Sequence, residues 1–240
     1  MARKLINGRA VYLCHNDFGD FDGKAALKKM FPKITDFGLA ERGDQPGPRI
    51  HPIQPNHCHA PEVLLGTGWS YSADIWNFGI MIWDLLAGRE LFHTAHRGNH
   101  SYSAQHHLAE MIALLGPAPE TLVERERNMR HWRWSPEARN HDGKLCNNAA
   151  DFFGGPFFSE DGEFVRKDLI PFDRNMSDAV PECIIDEDKE LFLKFVRRML
   201  CWLPEDRAAA KALKEDPWLD FTRNRPKGSV LTGPVEQEGR

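Results

Sequence analysis

Residues 72 to 87 constrain this chain more than any other stretch. Ile75, Trp76, Phe78, Ile80, Met81, Ile82, Trp83, Leu85 and Leu86 crowd into these few positions and fall on every face of a helix. A helix that is apolar all round belongs in the middle of a sizeable domain, so a mainly α fold layered around it is expected, with Gly88 marking its end. Asp74, near its start, is then a carboxylate in a buried setting and requires hydrogen-bond donors. Gly79 and Asp84 interrupt the run, which is too short and too polar to cross a bilayer.

Upstream, Lys33-Ile34-Thr35 reads as a short strand that delivers Asp36-Phe37-Gly38. The same tripeptide occurs at Asp17-Phe18-Gly19, but there it sits in a turn-rich loop, Asn16 to Gly23, behind a short strand at residues 9 to 14. The second copy lies 21 residues ahead of Ala60-Pro61-Glu62-Val63. Between them, Glu41 to His59 contains no Ser, Thr or Tyr and has prolines at 46, 48, 52 and 55. No hydroxyl in this segment can be phosphorylated, and the prolines restrict its freedom without any modification. His57-Cys58-His59 does not suggest a metal site, because neighbouring residues rarely converge on one ion. Pro61 suits the first turn of a short helix closed by Gly66.

Downstream, Ala104 to Leu115 reads as a helix with Leu108, Met111, Ile112 and Leu115 on one face, stopped by Gly116-Pro117. Residues 117 to 150 are rich in Pro, Arg, His and Asn; within them Arg125, Arg127, Arg130 and Arg133 with Trp132 and Trp134 read as a solvated helix face with anchoring tryptophans. Phe157 to Phe164 reads as a hairpin turning at Asp161-Gly162. An amphipathic helix is expected over Asp186 to Trp202 and a last short one over Ala208 to Lys214, with a polar tail from Thr222. The domain reading is therefore 1–33 as an N-terminal segment, 34–221 as the main domain and 222–240 as a disordered tail.

With 41% apolar and 28% charged residues in 240, the chain reads as an ordinary globular protein, and a net charge of -4 offers no general attraction for nucleic acid. Five scattered cysteines without a Cys-x-x-Cys pair imply free thiols. The first residues lack the apolar stretch of a secretory signal. An intracellular location and no membrane partner are expected.

Asp36-Phe37-Gly38-Leu39-Ala40, Ala60-Pro61-Glu62 and Ser72-Ala73-Asp74-Ile75-Trp76-Asn77-Phe78-Gly79, with Arg207 near the end, resemble in order and spacing the large lobe of a eukaryotic Ser/Thr protein kinase beyond its catalytic loop. The wording of Leu64-Leu65-Gly66-Thr67-Gly68-Trp69-Ser70 and of Leu108 to Gly116 is most similar to fungal proteins related to the SR-protein kinases. The resemblance implies a kinase-like large lobe with an activation segment at 36–62. It implies Asp36 as a magnesium ligand, with Phe37 and Gly38 beside an ATP site, and a buried ion pair between Glu62 and Arg207. Asp74 and Trp76 take structural roles in the central helix. The implied cofactors are ATP and Mg, and the implied partner is a protein substrate of Arg/Ser-rich type.

The departures are as specific. No glycine-rich phosphate loop, Val-Ala-Ile-Lys strand or His-Arg-Asp catalytic loop precedes Ile34, and Cys58-His59 stands where relatives carry Tyr-Arg. His141-Asp142-Gly143-Lys144-Leu145-Cys146-Asn147 has the spacing of a catalytic loop but follows the magnesium loop instead of preceding it. No catalytic residue is assignable. Two readings follow: a Ser/Thr kinase domain inactive by itself, and a non-catalytic, pseudokinase-like binding module. In either, unless the first 33 residues take the place of a catalytic loop against the central helix, a poorly stable or partner-dependent chain is expected.

Overall fold

The computed structural model describes residues 3–6, 9–12, 33–44, 49–93, 102–185 and 187–220. It divides into two compact units, residues 1–40 and 41–240. The first holds a two-stranded antiparallel ribbon, β1 (Arg3–Ile6) and β2 (Arg9–Tyr12), with Arg3 opposite Tyr12 and Ile6 opposite Arg9. It also holds a tight turn over Phe37–Leu39. The strand expected at Lys33 to Thr35 is not formed: these residues are exposed and pair with no strand among the described residues, and Ile34 is 87% exposed. The Asp17-Phe18-Gly19 copy and the tail lie outside the described residues.

The second unit is mainly α, as the sequence implied. Its helices are α1 (Pro61–Leu65), α2 (Ser72–Ala87), α3 (Ala104–Leu115), α4 (Glu120–Met129), α5 (Ala149–Phe153), α6 (Glu187–Arg197) and α7 (Ala210–Lys214). A short ribbon pairs β3 (Ala138–Arg139) with β4 (Leu145–Cys146). The Asp142, Lys144 and Asn147 set belongs to this ribbon; Asn140 Oδ1 accepts from the amides of Asp142 and Lys144 and closes its turn.

The core forms where α2 meets α3 and α6. Ala73, Trp76, Gly79, Ile80 and Trp83 make one buried stripe at helical spacing, facing Leu108, Met111, Phe192, Phe195 and Met199. Trp83 meets Phe192 at 5.3 Å between ring centres, and Trp76 lies parallel to Phe92 at 6.0 Å. The opposite face corrects the expectation of burial all round. Phe78, Met81 and Leu85 are 42%, 48% and 74% exposed, because no described element packs over them.

Two helices are shorter than their apolar patterns suggest. Beyond Arg197 the hydrogen bonds tighten, with Arg198 N donating to Phe195 O and Met199 N to Val196 O, and the chain turns before Pro204. Arg207 to Ala209 stay extended, with Ala208 N donating to Arg198 O, so α7 starts at Ala210. The extension lets Arg207 point inward. Helix α4 was legible only as a basic face: its buried side is Leu122, Val123 and Glu126, and the carboxylate of Glu126 is covered by two 2.8 Å bonds from Arg130.

Candidate functional site

Asp36 belongs to the first unit and adopts a left-handed backbone, φ 61° and ψ 68°, a conformation in which Asp is several-fold enriched. A β-carbon on Gly38 would stand 3.3 Å from Asp36 Oδ1, so the glycine leaves room for the carboxylate. Asp36 is exposed and Phe37 is 69% exposed. As a donor set this fits a magnesium ion, which takes one or two protein carboxylates and completes its shell with phosphate and water. It does not fit a whole nucleotide: among the described residues no glycine-rich loop and lysine stand ready for a triphosphate. No transfer step is derived from it.

The described parts of the segment between Asp36 and Ala60, residues 41–44 and 49–59, are held by side-chain contacts without a phosphate. Arg42 forms a fork with Asp44 at 3.1 and 2.7 Å, and Arg49 donates to the carbonyls of Arg42 and Gly43. The Arg49 carbonyl accepts from Trp69 N at 2.9 Å while its guanidinium stands 6.0 Å from the Trp69 ring centre. Trp69 Nε1 donates to His51 O, and the His51 ring stacks on Trp134. Gln54, itself at φ 75°, donates to Ala73 O and to Asn77 Oδ1 and accepts from Ala60 N at 2.8 Å. One side chain thus joins the end of the segment to the start of α2.

Immediately after it, all five residues of α1 are buried. Gly66 closes this helix at φ 63°, and a β-carbon there would stand 2.6 Å from Ala149 Cβ, so only glycine lets α1 approach α5 so closely. Arg207 Nη1 and Nη2 each donate to a Glu62 carboxylate oxygen at 2.6 Å, and both side chains are fully buried. Arg207 also donates to Ser72 O at 3.0 Å and to Cys201 O at 3.2 Å, and lies 5.1 Å from the Trp76 ring centre. The guanidinium therefore joins α1, α2 and the turn that follows α6. Such a pair is positional: it offers no exposed group to a substrate.

Asp74 corrects the sequence reading. It is exposed in the first turn of α2, where water and the helix dipole stabilise its charge, so no buried donors are required. It borders an open cleft with Tyr71, Arg125 and Glu205, far from being sealed in the core. The arginine cluster is also spoken for. Arg125 pairs with Glu205, Arg127 donates to Glu160 O, Arg130 binds Glu126, and Arg133 donates to Asn147 Oδ1.

A polar group that the sequence did not reveal lies beside this junction. Tyr102 Oη stands 3.0 Å from His59 Nδ1 and 2.9 Å from His107 Nδ1, with Phe153 edge-on to His59. Burial lowers the His59 pKa to about 4, against the smaller raising effect of the Asn56 backbone, and burial raises that of Tyr102. Nearby, Glu110, fully buried, pairs with Arg174, which also donates to Leu91 O. Nothing in the spacing of residues 59, 102 and 107 could have joined them; only the fold brings His59 to the start of α3.

A helical lobe built on Ala60-Pro61-Glu62, a central α2 and a distant arginine has the architecture of a kinase-like large lobe. The chain matches the protein kinase domain family over residues 23–219. A serine/threonine protein kinase of Aspergillus fumigatus is 37% identical over 191 residues, 78% of this chain and 40% of that protein. The human dual specificity protein kinase CLK4 is 26% identical over 199 residues, 83% of this chain and 35% of its own length. Among solved structures, the crystal structure of the PF14_0431 kinase domain has a TM-score of 0.51 at 23% identity, covering 78% of this chain and 47% of that one, a likeness of fold. This chain belongs to the protein kinase family. It spans about two fifths or less of the length of these curated relatives.

Proposed function

We propose that this chain is the substrate-holding lobe of a Ser/Thr protein kinase of SR-protein-kinase type. It serves ATP-dependent phosphoryl transfer to protein hydroxyls only together with a glycine-rich loop, a strand lysine and a catalytic loop, parts that this sequence does not supply. Transfer depends on positioning and charge stabilisation, so without those parts the lobe is inactive. The observation that carries this reading is the activation segment. Free of hydroxyls between Glu41 and His59, it is fastened by Arg49, Trp69 and Gln54 and leads into the Glu62–Arg207 pair. A segment set in this way needs no phosphorylation to order it.

In this reading Asp36 is the magnesium ligand, Phe37 and Gly38 adjoin the nucleotide, residues 34–221 are the functional domain, and the substrate is an Arg/Ser-rich protein inside the cell. Mg-ATP binding by calorimetry tests it together with phosphate incorporation into an Arg/Ser peptide. The expected result is weak Mg-ATP binding that Asp36→Ala removes, and no incorporation by the chain alone. Binding unchanged by Asp36→Ala overturns the assignment. A second reading, a non-catalytic lobe that only holds a protein, is favoured by the exposed Phe78, Met81 and Leu85 strip; no Mg-ATP binding at all would select it.

A further inference from the structure

The N-terminus of α3, the end of α5 and the β3–β4 ribbon enclose a groove of about 470 Å³. Asn56, Tyr102, Arg139, His141, Phe152 and Phe153 are among its walls. Two properties define what it accepts. The first is an apolar floor: Phe152 and Phe153 meet edge to face at 4.8 Å and are only half-buried, and Gln105 Nε2 donates to Gly154 O at 3.3 Å, tying the two helices together beneath it. The second is charge. None of the wall residues is acidic, whereas Arg139 and His141 are exposed, and the positive end of the α3 dipole opens on the same side. Arg139 spends one guanidinium nitrogen on Gly143 O and keeps others for a ligand; His141 Nε2 lies against the Asp142 carboxylate at 3.2 Å, so its other ring nitrogen is the one left for the groove.

We infer that this groove docks an acidic peptide segment carrying an apolar or aromatic side chain. The apolar group covers Phe152 and Phe153, and the carboxylates face Arg139, His141 and the start of α3. Arg139, the formal charge on these walls, disfavours an Arg/Ser-rich segment, so the groove takes an acidic part of the protein that the lobe holds. The inference rests on the proposed role as a protein-holding lobe and places its second contact beside Asn56, at the end of the activation segment.

Anisotropy of labelled peptides bound to the whole chain tests it. Three probes are used: a Glu/Asp peptide with one Phe and one Leu, the same peptide with both replaced by Gly, and an Arg/Ser repeat. The first is expected to bind at least about tenfold more tightly than either of the others, and to weaken as salt is raised. Arg139→Glu and His141→Glu, both on the surface, are expected each to weaken it about tenfold while the thermal midpoint is kept. Equal binding of the Gly-substituted peptide overturns the apolar half of the inference. Binding unaffected by both variants overturns the site, and a single-stranded oligonucleotide of equal charge binding as well or better overturns the peptide class. None of these readouts uses ATP, so failure of the docking groove and failure of the kinase reading are separable.

Discussion

Tyr102 Oη stands 3.0 Å from His59 Nδ1, a bond that joins the residue just before Ala60-Pro61-Glu62 to the start of α3. His59 is 3% exposed, and burial, the largest cause, lowers its pKa to about 4 from an ordinary 6.5, with the neighbouring charge of His57 adding to the effect. Between these two values the unfolded chain holds a proton that the folded chain does not. Stability therefore falls as pH drops from about 6.5 to about 4 and levels off below, by roughly 3 kcal/mol for this group. Urea melts at stepped pH should show that slope. His59→Asn, which keeps a polar partner for Tyr102, should flatten it.

Removing one member of the Glu62–Arg207 pair strands the other charge in a fully buried position. Glu62→Ala and Arg207→Ala are each expected to cost about 3 to 5 kcal/mol, measured by chemical denaturation. Arg207→Lys should cost nearly as much, because an ammonium cannot reach both carboxylate oxygens, Ser72 O and Cys201 O at once. The double replacement of the pair by apolar residues should cost less than the single ones.

Gly79 sits where α2 packs against the turn that follows α6. A β-carbon there would stand 3.0 Å from Leu200 Cδ2 and 3.1 Å from Met199 Cβ, and the second of these cannot rotate away. Alanine gains about 1 kcal/mol in helix propensity but overpacks by about 1 to 3 kcal/mol. Gly79→Ala is expected to lower stability by about 1 kcal/mol and Gly79→Val by distinctly more.

The uncovered side of α2 has the reverse character. Leu85 and Met81 contribute little to the core, being 74% and 48% exposed. Leu85→Lys combined with Met81→Lys should leave the melting midpoint within about 2 °C, since surface changes rarely exceed about 0.5 kcal/mol. Light scattering at high protein concentration should fall. A large drop in the midpoint would mean that the strip is covered in solution.

The bounds of α2 and α3 could be read from the sequence because apolar spacing and a glycine stop act within a few residues. Helix α4 shows the limit of that reading, since a third of its buried side is Glu126, neutralised by an arginine one turn later. The same limit hid Gln54. Its left-handed backbone and its bonds to Ala73, Asn77 and Ala60 are set by tertiary contacts with no local pattern. Asp74 was misread for a related reason: burial was inferred from the apolar residues around it, while its place in the first turn of α2 leaves it at the surface.

The two ends of the central ion pair lie 145 residues apart. A ribosome adding about 5 to 20 residues each second needs about 7 to 30 s to travel that far. Throughout that time the Glu62 carboxylate has been made and its partner has not. The second unit therefore cannot reach its native core until Arg207 has been made, however well α1 and α2 are specified. The last member of the pair to be made, more than the first helices, sets when this core can close.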